Sequence, residues 1–314
     1  MTEMTPEPIR ISNSEIQTFK DCRRRWWLTY YRRLRPKMQD FTGALALGSR
    51  IHEALDRYYS TGQPLLDAHA DLVKEDLKKL TDEYRDTSSL EAEAELGRVM
   101  LEGYLEWVEM EGIDAELEMI STEEILERPM MDGKVILQGK IDMRVRRKID
   151  GARMIRDFKT VGGSFSDFGA MAHMNEQVKT YMLLDEVQSA EDGNRTDGAI
   201  FTMLRKVKRG AYAKPPFYDQ IEVRHNRFTL RAFLEQLEGT LEDMLRVRDA
   251  LDAGESHYKN AYPTPSKDCK WKCQFFATCP LFDDGSAAEA AISDAFVVAD
   301  PYGYYQSSEQ KGSE

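Results

Sequence analysis

Two stretches joined by a short turn restrict this chain more than any other feature. Gly139-Lys140-Ile141-Asp142 and Ile155-Arg156-Asp157-Phe158-Lys159-Thr160 lie in segments of strand texture, Lys134–Arg147 and Arg153–Val161, with Asp150-Gly151 between them. Asp-Gly between two such segments signals a hairpin. Residues two apart on a strand share a face, so Asp157 and Lys159 project together while Phe158 faces the core. A hairpin centred on Asp150-Gly151 sets Asp142 beside Asp157. Two carboxylates so placed repel unless a cation lies between them, and Mg²⁺ or Mn²⁺ suits oxygen ligands.

A metal held there would polarise a phosphodiester oxygen and lower the pKa of a bound water. Lys159 could steer that water or stabilise charge growing on the phosphorane. The bare Asp-x-Lys also fits a surface ion pair, so its company matters. His52 lies in Leu47-Gly48-Ser49-Arg50-Ile51-His52-Glu53, where Gly48 permits close approach to another backbone. Its imidazole could be a nitrogen ligand favouring Mn²⁺, or simply a packed helix residue. Gln177 and Tyr181 share a helix face. There they could hold a phosphate or base near the metal, or be surface polarity beside a core aromatic.

The first third reads as helical. Ser12 and Glu15 have capping-box spacing and open a helix over Ser14–Arg33; others follow at Leu47–Tyr59, Pro64–Tyr84 and Leu90–Glu111. Strands are expected at Glu116–Arg128, at the two hairpin segments, and near Thr196–Val207 and Phe217–Val223. Met131-Asp132-Gly133 reads as another hairpin turn. Helices are expected at Phe168–Val187 and Thr229–Ala253. This divides the chain into a helical region 1–112, an α/β core 113–255, a cysteine-rich segment 256–282 and an acidic, disordered tail 283–314.

Net charge is −12, from 43 basic and 55 acidic residues, which argues against a generic nucleic-acid coat. Basic residues still cluster at Arg23–Lys37, Arg144–Lys148 and Lys206–Arg209, so a local groove for phosphate is permitted. No apolar run is long enough for a membrane helix and the first residues lack a secretory pattern, so the expectation is a cytoplasmic protein with no membrane partner. Reduced thiols are then expected at the four cysteines, Cys22, Cys269, Cys273 and Cys279. Four can complete one zinc site or one iron–sulfur cluster, or be separate buried thiols. Three within eleven residues disfavour separate roles, and the Cys-x₂-Cys pairs usual for structural zinc are missing.

Leu47-Gly48 with His52, Gly139-x-Ile141-Asp142, Asp157-Phe158-Lys159-Thr160 and Gln177-x₃-Tyr181 resemble, in order, the motifs of RecB-type nucleases of the PD-(D/E)XK superfamily. Ile11–Cys22 looks like that group's first helix, and the likeness covers roughly residues 11–282. It implies a restriction-endonuclease-like α/β fold, a mixed central β-sheet flanked by helices with an N-terminal helical annex. It further implies a metal held by His52, Asp142, Asp157 and the carbonyl of Phe158, with Lys159 catalytic and Gln177 and Tyr181 as an accessory motif. Asp157 stands where many relatives carry Glu. One early cysteine plus three late ones resembles the iron–sulfur nucleases of this superfamily, among them the AddB-type subunit and the CRISPR-associated and phage exonucleases. That implies a 4Fe–4S cluster on Cys22, Cys269, Cys273 and Cys279, stapling the chain's two ends, although relatives often space the first pair by two residues.

No Gly-x₄-Gly-Lys-Ser/Thr motif is present, so the chain is not a complete helicase–nuclease. Three functions are compatible: an exonuclease on single-stranded or duplex DNA ends, a nuclease subunit beside a helicase or recombination partner or in CRISPR adaptation, and a non-catalytic DNA-binding module. The intact Asp142, Asp157 and Lys159 favour the first two.

Overall fold

A computed structural model describes residues 7–192, 195–210 and 212–305. In chain order the elements are β1 (Ile9–Ser12), α1 (Asn13–Asp21), α2 (Arg23–Trp26), β2 (Leu34–Pro36), α3 (Gly43–Thr61), α4 (Leu65–Asp82) and α5 (Ser88–Glu111). Then come β3 (Leu117–Met130), β4 (Val135–Arg147), β5 (Arg153–Val161), α6 (Phe165–Ala172), α7 (Glu176–Asp192), β6 (Thr196–Arg205) and β7 (Tyr218–Arg224). The chain ends with α8 (Arg227–Asp252), α9 (His257–Asn260), α10 (Cys269–Lys272), α11 (Ala288–Ala295) and β8 (Phe296–Val298). The fold is mixed α/β with a central mixed sheet flanked by helices, as expected.

Two compact units share these elements. One draws on the described residues of Met1–Gln39, Glu127–Gln138 and Arg231–Glu314; the other comprises Asp40–Leu126 and Gly139–Leu230. In the second unit β4 and β5 pair antiparallel, β5 and β6 parallel, and β6 and β7 antiparallel. A parallel β5–β6 pair needs a crossover, and α6 and α7 supply it. Apolar residues of α3, α4 and α5, including Ile51, Leu55, Leu65 and Leu101, form one core with Met143, Val145, Met154 and Phe158 of the sheet. That face of β5 is therefore dry, and its opposite face turns Asp157 and Lys159 toward α7.

In the first unit β1 runs parallel to the start of β4, with Ile9 opposite Val135. The Glu15 carboxylate is taken by Trp26 Nε1, so of the capping box only the Ser12 half holds: its side chain accepts the Glu15 N–H at 3.3 Å. The single helix expected over Ser14–Arg33 does not: Cys22 is extended, ending α1, and after α2 a π-helical turn spans Trp27–Tyr31. The single helix expected over Phe168–Val187 is likewise two. Asn175 Oδ1 accepts the Val178 N–H at 3.2 Å and starts α7 afresh.

The disordered tail expected from 283 onward is corrected for 283–305, the rest lying outside the described residues. There α11 leads into β8, which pairs antiparallel with β2, Leu34 opposite Val298. A polar composition hides this because the stabilising groups are remote: Arg24 donates both arms to Asp283, at 2.6 and 2.9 Å, and Arg32 pairs with Glu289. The same pairs absorb much of the early basic cluster, since Arg23 is bound to Asp243 as well. In the Arg144–Lys148 cluster, Arg144 is buried between Glu124 and Asp185, and Arg147 pairs with Asp150 and Glu222.

Candidate active site

The hairpin register decides the geometry. Gly151 donates to the Arg147 carbonyl at 2.8 Å, closing the turn, and the ladder runs from Arg146 opposite Arg153 to Met143 opposite Arg156. One step further along that register sets Asp142 against Asp157. There the backbone ladder stops, and the Phe158 N–H donates instead to Asp142 Oδ2 at 3.2 Å.

Two glycines allow the surrounding elements to close in. A Cβ on Gly48 would stand 3.1 Å from Thr160 Oγ1, so α3 meets a side chain of β5, not a backbone as expected. That approach carries His52, whose Nδ1 lies 3.5 Å from Asp142 Oδ2. A Cβ on Gly139 would press 2.6 Å from Leu184 and 3.0 Å from the Tyr181 ring, so this position lets α7 pack on β4.

Gln177 and Tyr181 share a helix face as their spacing predicts, and that face meets the sheet. Lys159 Nζ donates to Gln177 Oε1 at 2.9 Å, and Gln177 Nε2 donates to Tyr181 Oη at 2.8 Å. The amide thus holds the lysine, where the sequence suggested a phosphate or base. On its other side Lys159 Nζ lies 2.7 Å from Asp157 Oδ2, an ion pair without hydrogen-bond alignment, so this oxygen is buried with no aligned donor.

The electrostatics are unbalanced. Removal from water pushes the Asp142 carboxyl above the usual carboxylate range, and Asp157 pushes it further; His52, Lys159 and the Phe158 N–H oppose this. Asp56, one helical turn after His52, is also raised by burial and by Glu53, and its Oδ1 is buried without a partner. Its i,i+4 spacing from His52 was visible in the sequence; that it would line the same cleft as Asp142, Glu123 and Phe158 was not.

A divalent cation suits this donor set. Two apposed carboxylates, one with an oxygen that lacks an aligned hydrogen-bond donor, and a nearby imidazole are hard and borderline donors whose two negative charges face a single ammonium, that of Lys159. The side chains do not close on one point: among the described residues, no three His, Cys, Asp or Glu side chains are gathered as a metal-holding group.

The same holds for the cysteines, all in the first unit and none in a disulfide. Their sulfurs nevertheless receive donors suited to thiolates. The Thr264 N–H reaches Cys22 Sγ at 3.4 Å, the Ser266 N–H reaches Cys269 Sγ at 3.3 Å, and Arg24 approaches Cys279 Sγ at 4.0 Å. Burial raises the Cys273 and Cys279 thiols, and Cys22 lies near enough to raise both further. Among the described residues no helix is long and apolar enough to cross a membrane.

Comparison with known proteins matches residues 10–280 to the family described as the PD-(D/E)XK nuclease superfamily. No curated protein matches. Among solved structures, a protein from Eubacterium rectale provisionally called an exonuclease aligns at 13% identity and a TM-score of 0.48, over 77% of this chain and 82% of that one. The protein SSO0001 aligns at 13% identity and a TM-score of 0.36, over 88% of this chain and 89% of that one.

Proposed function

The chain belongs to the PD-(D/E)XK nuclease superfamily, and from that premise we propose that it is a divalent-metal-dependent exonuclease hydrolysing phosphodiester bonds at DNA ends. The observation carrying this reading is the hairpin register, which apposes Asp142 and Asp157 with Lys159 on the same face. His52, Asp142, Asp157 and the Phe158 carbonyl would hold Mg²⁺ or Mn²⁺. Bound there, the ion supplies charge stabilisation and a water of lowered pKa.

The chain's own groups do the rest. Asp142 and Asp157 fix the polarity of the site, and the Phe158 N–H orients Asp142. Lys159, gripped by Gln177, presents a cation toward charge developing on the phosphoryl oxygens, a task that rewards a preset donor. Tyr181 holds the Gln177 amide so that its oxygen, not its nitrogen, faces Lys159. The four cysteines would carry a 4Fe–4S cluster in a structural role, a reading supported by their N–H and guanidinium donors.

The test is cleavage of end-labelled single- and double-stranded DNA by anaerobically purified protein with Mg²⁺, Mn²⁺ or EDTA. Metal-dependent products that vanish in Asp157→Ala, while DNA binding persists, are expected. A folded, DNA-binding protein that never cleaves would overturn the catalytic reading and leave a binding module or a partner-dependent subunit.

A further inference from the structure

Arg156 immediately precedes Asp157 and points to the opposite face of β5, into the core, where it is 1% exposed. Each of its nitrogens has a partner. Nε donates to Thr202 Oγ1 at 3.0 Å, Nη1 to Asp114 Oδ1 at 2.7 Å, and Nη2 to the Tyr104 hydroxyl at 3.0 Å. Tyr59 extends the network: its hydroxyl donates to Asp114 Oδ2 at 2.7 Å and lies 2.6 Å from that of Tyr104. The guanidinium carbon also sits 5.0 Å from the Phe158 ring centre and 5.4 Å from that of Tyr59, and those two rings stack 5.8 Å apart.

Stability alone does not call for a charge here, because well-packed apolar residues commonly replace buried ion pairs at no loss. What a planar fork adds is position: its donors reach set points on separate elements at once. Those elements are α3 through Tyr59, α5 through Tyr104, the turn at Asp114 and β6 through Thr202. Tyr59 lies seven residues after His52, on the same face of α3. Phe158 supplies the N–H that orients Asp142.

We propose that Arg156 is a positioning residue: carried on β5 and bonded across to α3 and α5, it sets the separation of the His52 imidazole from the Asp142–Asp157 pair. It touches no substrate and acts through Tyr59 and Phe158. The proposal rests on the metal-site reading above and adds what holds that site's two halves in register.

The experiment compares Arg156→Lys, Arg156→Met and Tyr59→Phe with the unmodified chain. It measures Mn²⁺ affinity by electron paramagnetic resonance, DNA cleavage kinetics, thermal midpoint and the His52 ring resonances by NMR. Tyr59→Phe keeps the ring stack and removes only the hydroxyl, so it remains informative if Arg156→Met fails to fold. In folded variants the expected result is Mn²⁺ affinity lower by about 10-fold or more, the loss typical when a group orienting metal ligands is removed. kcat should fall, KM for DNA should stay within about twofold, and the His52 resonances should move. Lysine, keeping charge without the fork, is not expected to rescue. Folded Lys and Phe variants with unchanged Mn²⁺ affinity and unmoved His52 resonances would overturn the proposal, whatever their melting. If the unmodified chain binds no Mn²⁺, the metal reading fails by itself, and the His52 resonances alone then decide whether Arg156 positions that ring.

Discussion

Glu15 and the Asp157 that stands beside half-buried Asp142 are buried carboxylates in different units of the chain, and their surroundings differ in kind. Glu15 is a single carboxylate. It accepts from Trp26 Nε1 at 2.8 Å and from the Tyr302 hydroxyl, with Arg248 3.6 Å away. Asp142 and Asp157 are two carboxylates sharing one lysine, an imidazole and one backbone N–H. The first arrangement is complete within the protein and joins α1 to residues far along the chain. The second holds more negative charge than its neighbours offset, which is what a site for a divalent cation requires. Burial of a carboxylate is therefore no pointer to function by itself; the balance of its partners is.

The largest test of this contrast is removal of the cation that does face the pair. Lys159→Ala is expected to reduce cleavage by about 10²- to 10³-fold, the cost of losing one preset charge-stabilising donor. Gln177→Ala, which frees the lysine without removing it, should cost between about 10- and 100-fold through misplacement. Single-turnover kinetics at saturating metal checks both, and equal losses would mean that Gln177 does more than orient Lys159.

The first unit should respond in stability instead. Cys273→Ala is expected to remove any visible iron–sulfur absorption and to lower the thermal midpoint by about 5 °C or more, since a structural metal group contributes its binding energy to folding. Unchanged melting in a protein that has lost its colour would refute the structural role.

Glu15, complete in its partners, should respond through its titration alone. Burial pushes its carboxyl up to about 7 from an ordinary 4.5, against the opposing Arg248 and Trp26. A raised carboxyl stabilises the fold below pH 4.5, where it is neutral in both states, and that contribution is lost as pH rises to about 7. The amount at stake is on the order of 3 kcal/mol. Glu15→Gln mimics the neutral form, so its stability relative to the unmodified chain should rise between pH 4.5 and 8, read by denaturant unfolding at both. A difference independent of pH would place the titration elsewhere.

Local pattern carried much of this molecule. β5 falls on Arg153–Val161 as expected, because a short run with β-branched and aromatic residues bounded by an Asp-Gly turn is a local signal. The hairpin then delivered Asp142, Asp157 and Lys159 to one place, and i,i+4 spacing put Gln177 beside Tyr181. β1 escaped notice since four residues pairing in parallel with a remote strand leave no periodic trace. α11 and β8 escaped for a similar reason: an Ala-, Ser- and Asp-rich composition reads as unstructured until Arg24, Arg32 and β2 are known to meet it.

By itself, then, the sequence determined the family, the α/β class and the residues assembled around the carboxylate hairpin, because register and side-chain periodicity are properties of neighbours along the chain. Only the tertiary structure decided that Gln177 grips Lys159, that Asp56 lines the same cleft, and that Arg156 is buried among Tyr59, Tyr104, Asp114 and Thr202. In sequence Arg156 is one more charged residue next to Asp157. Its burial depends on four partners from elements far apart in the chain, and distances of that kind are set by packing alone.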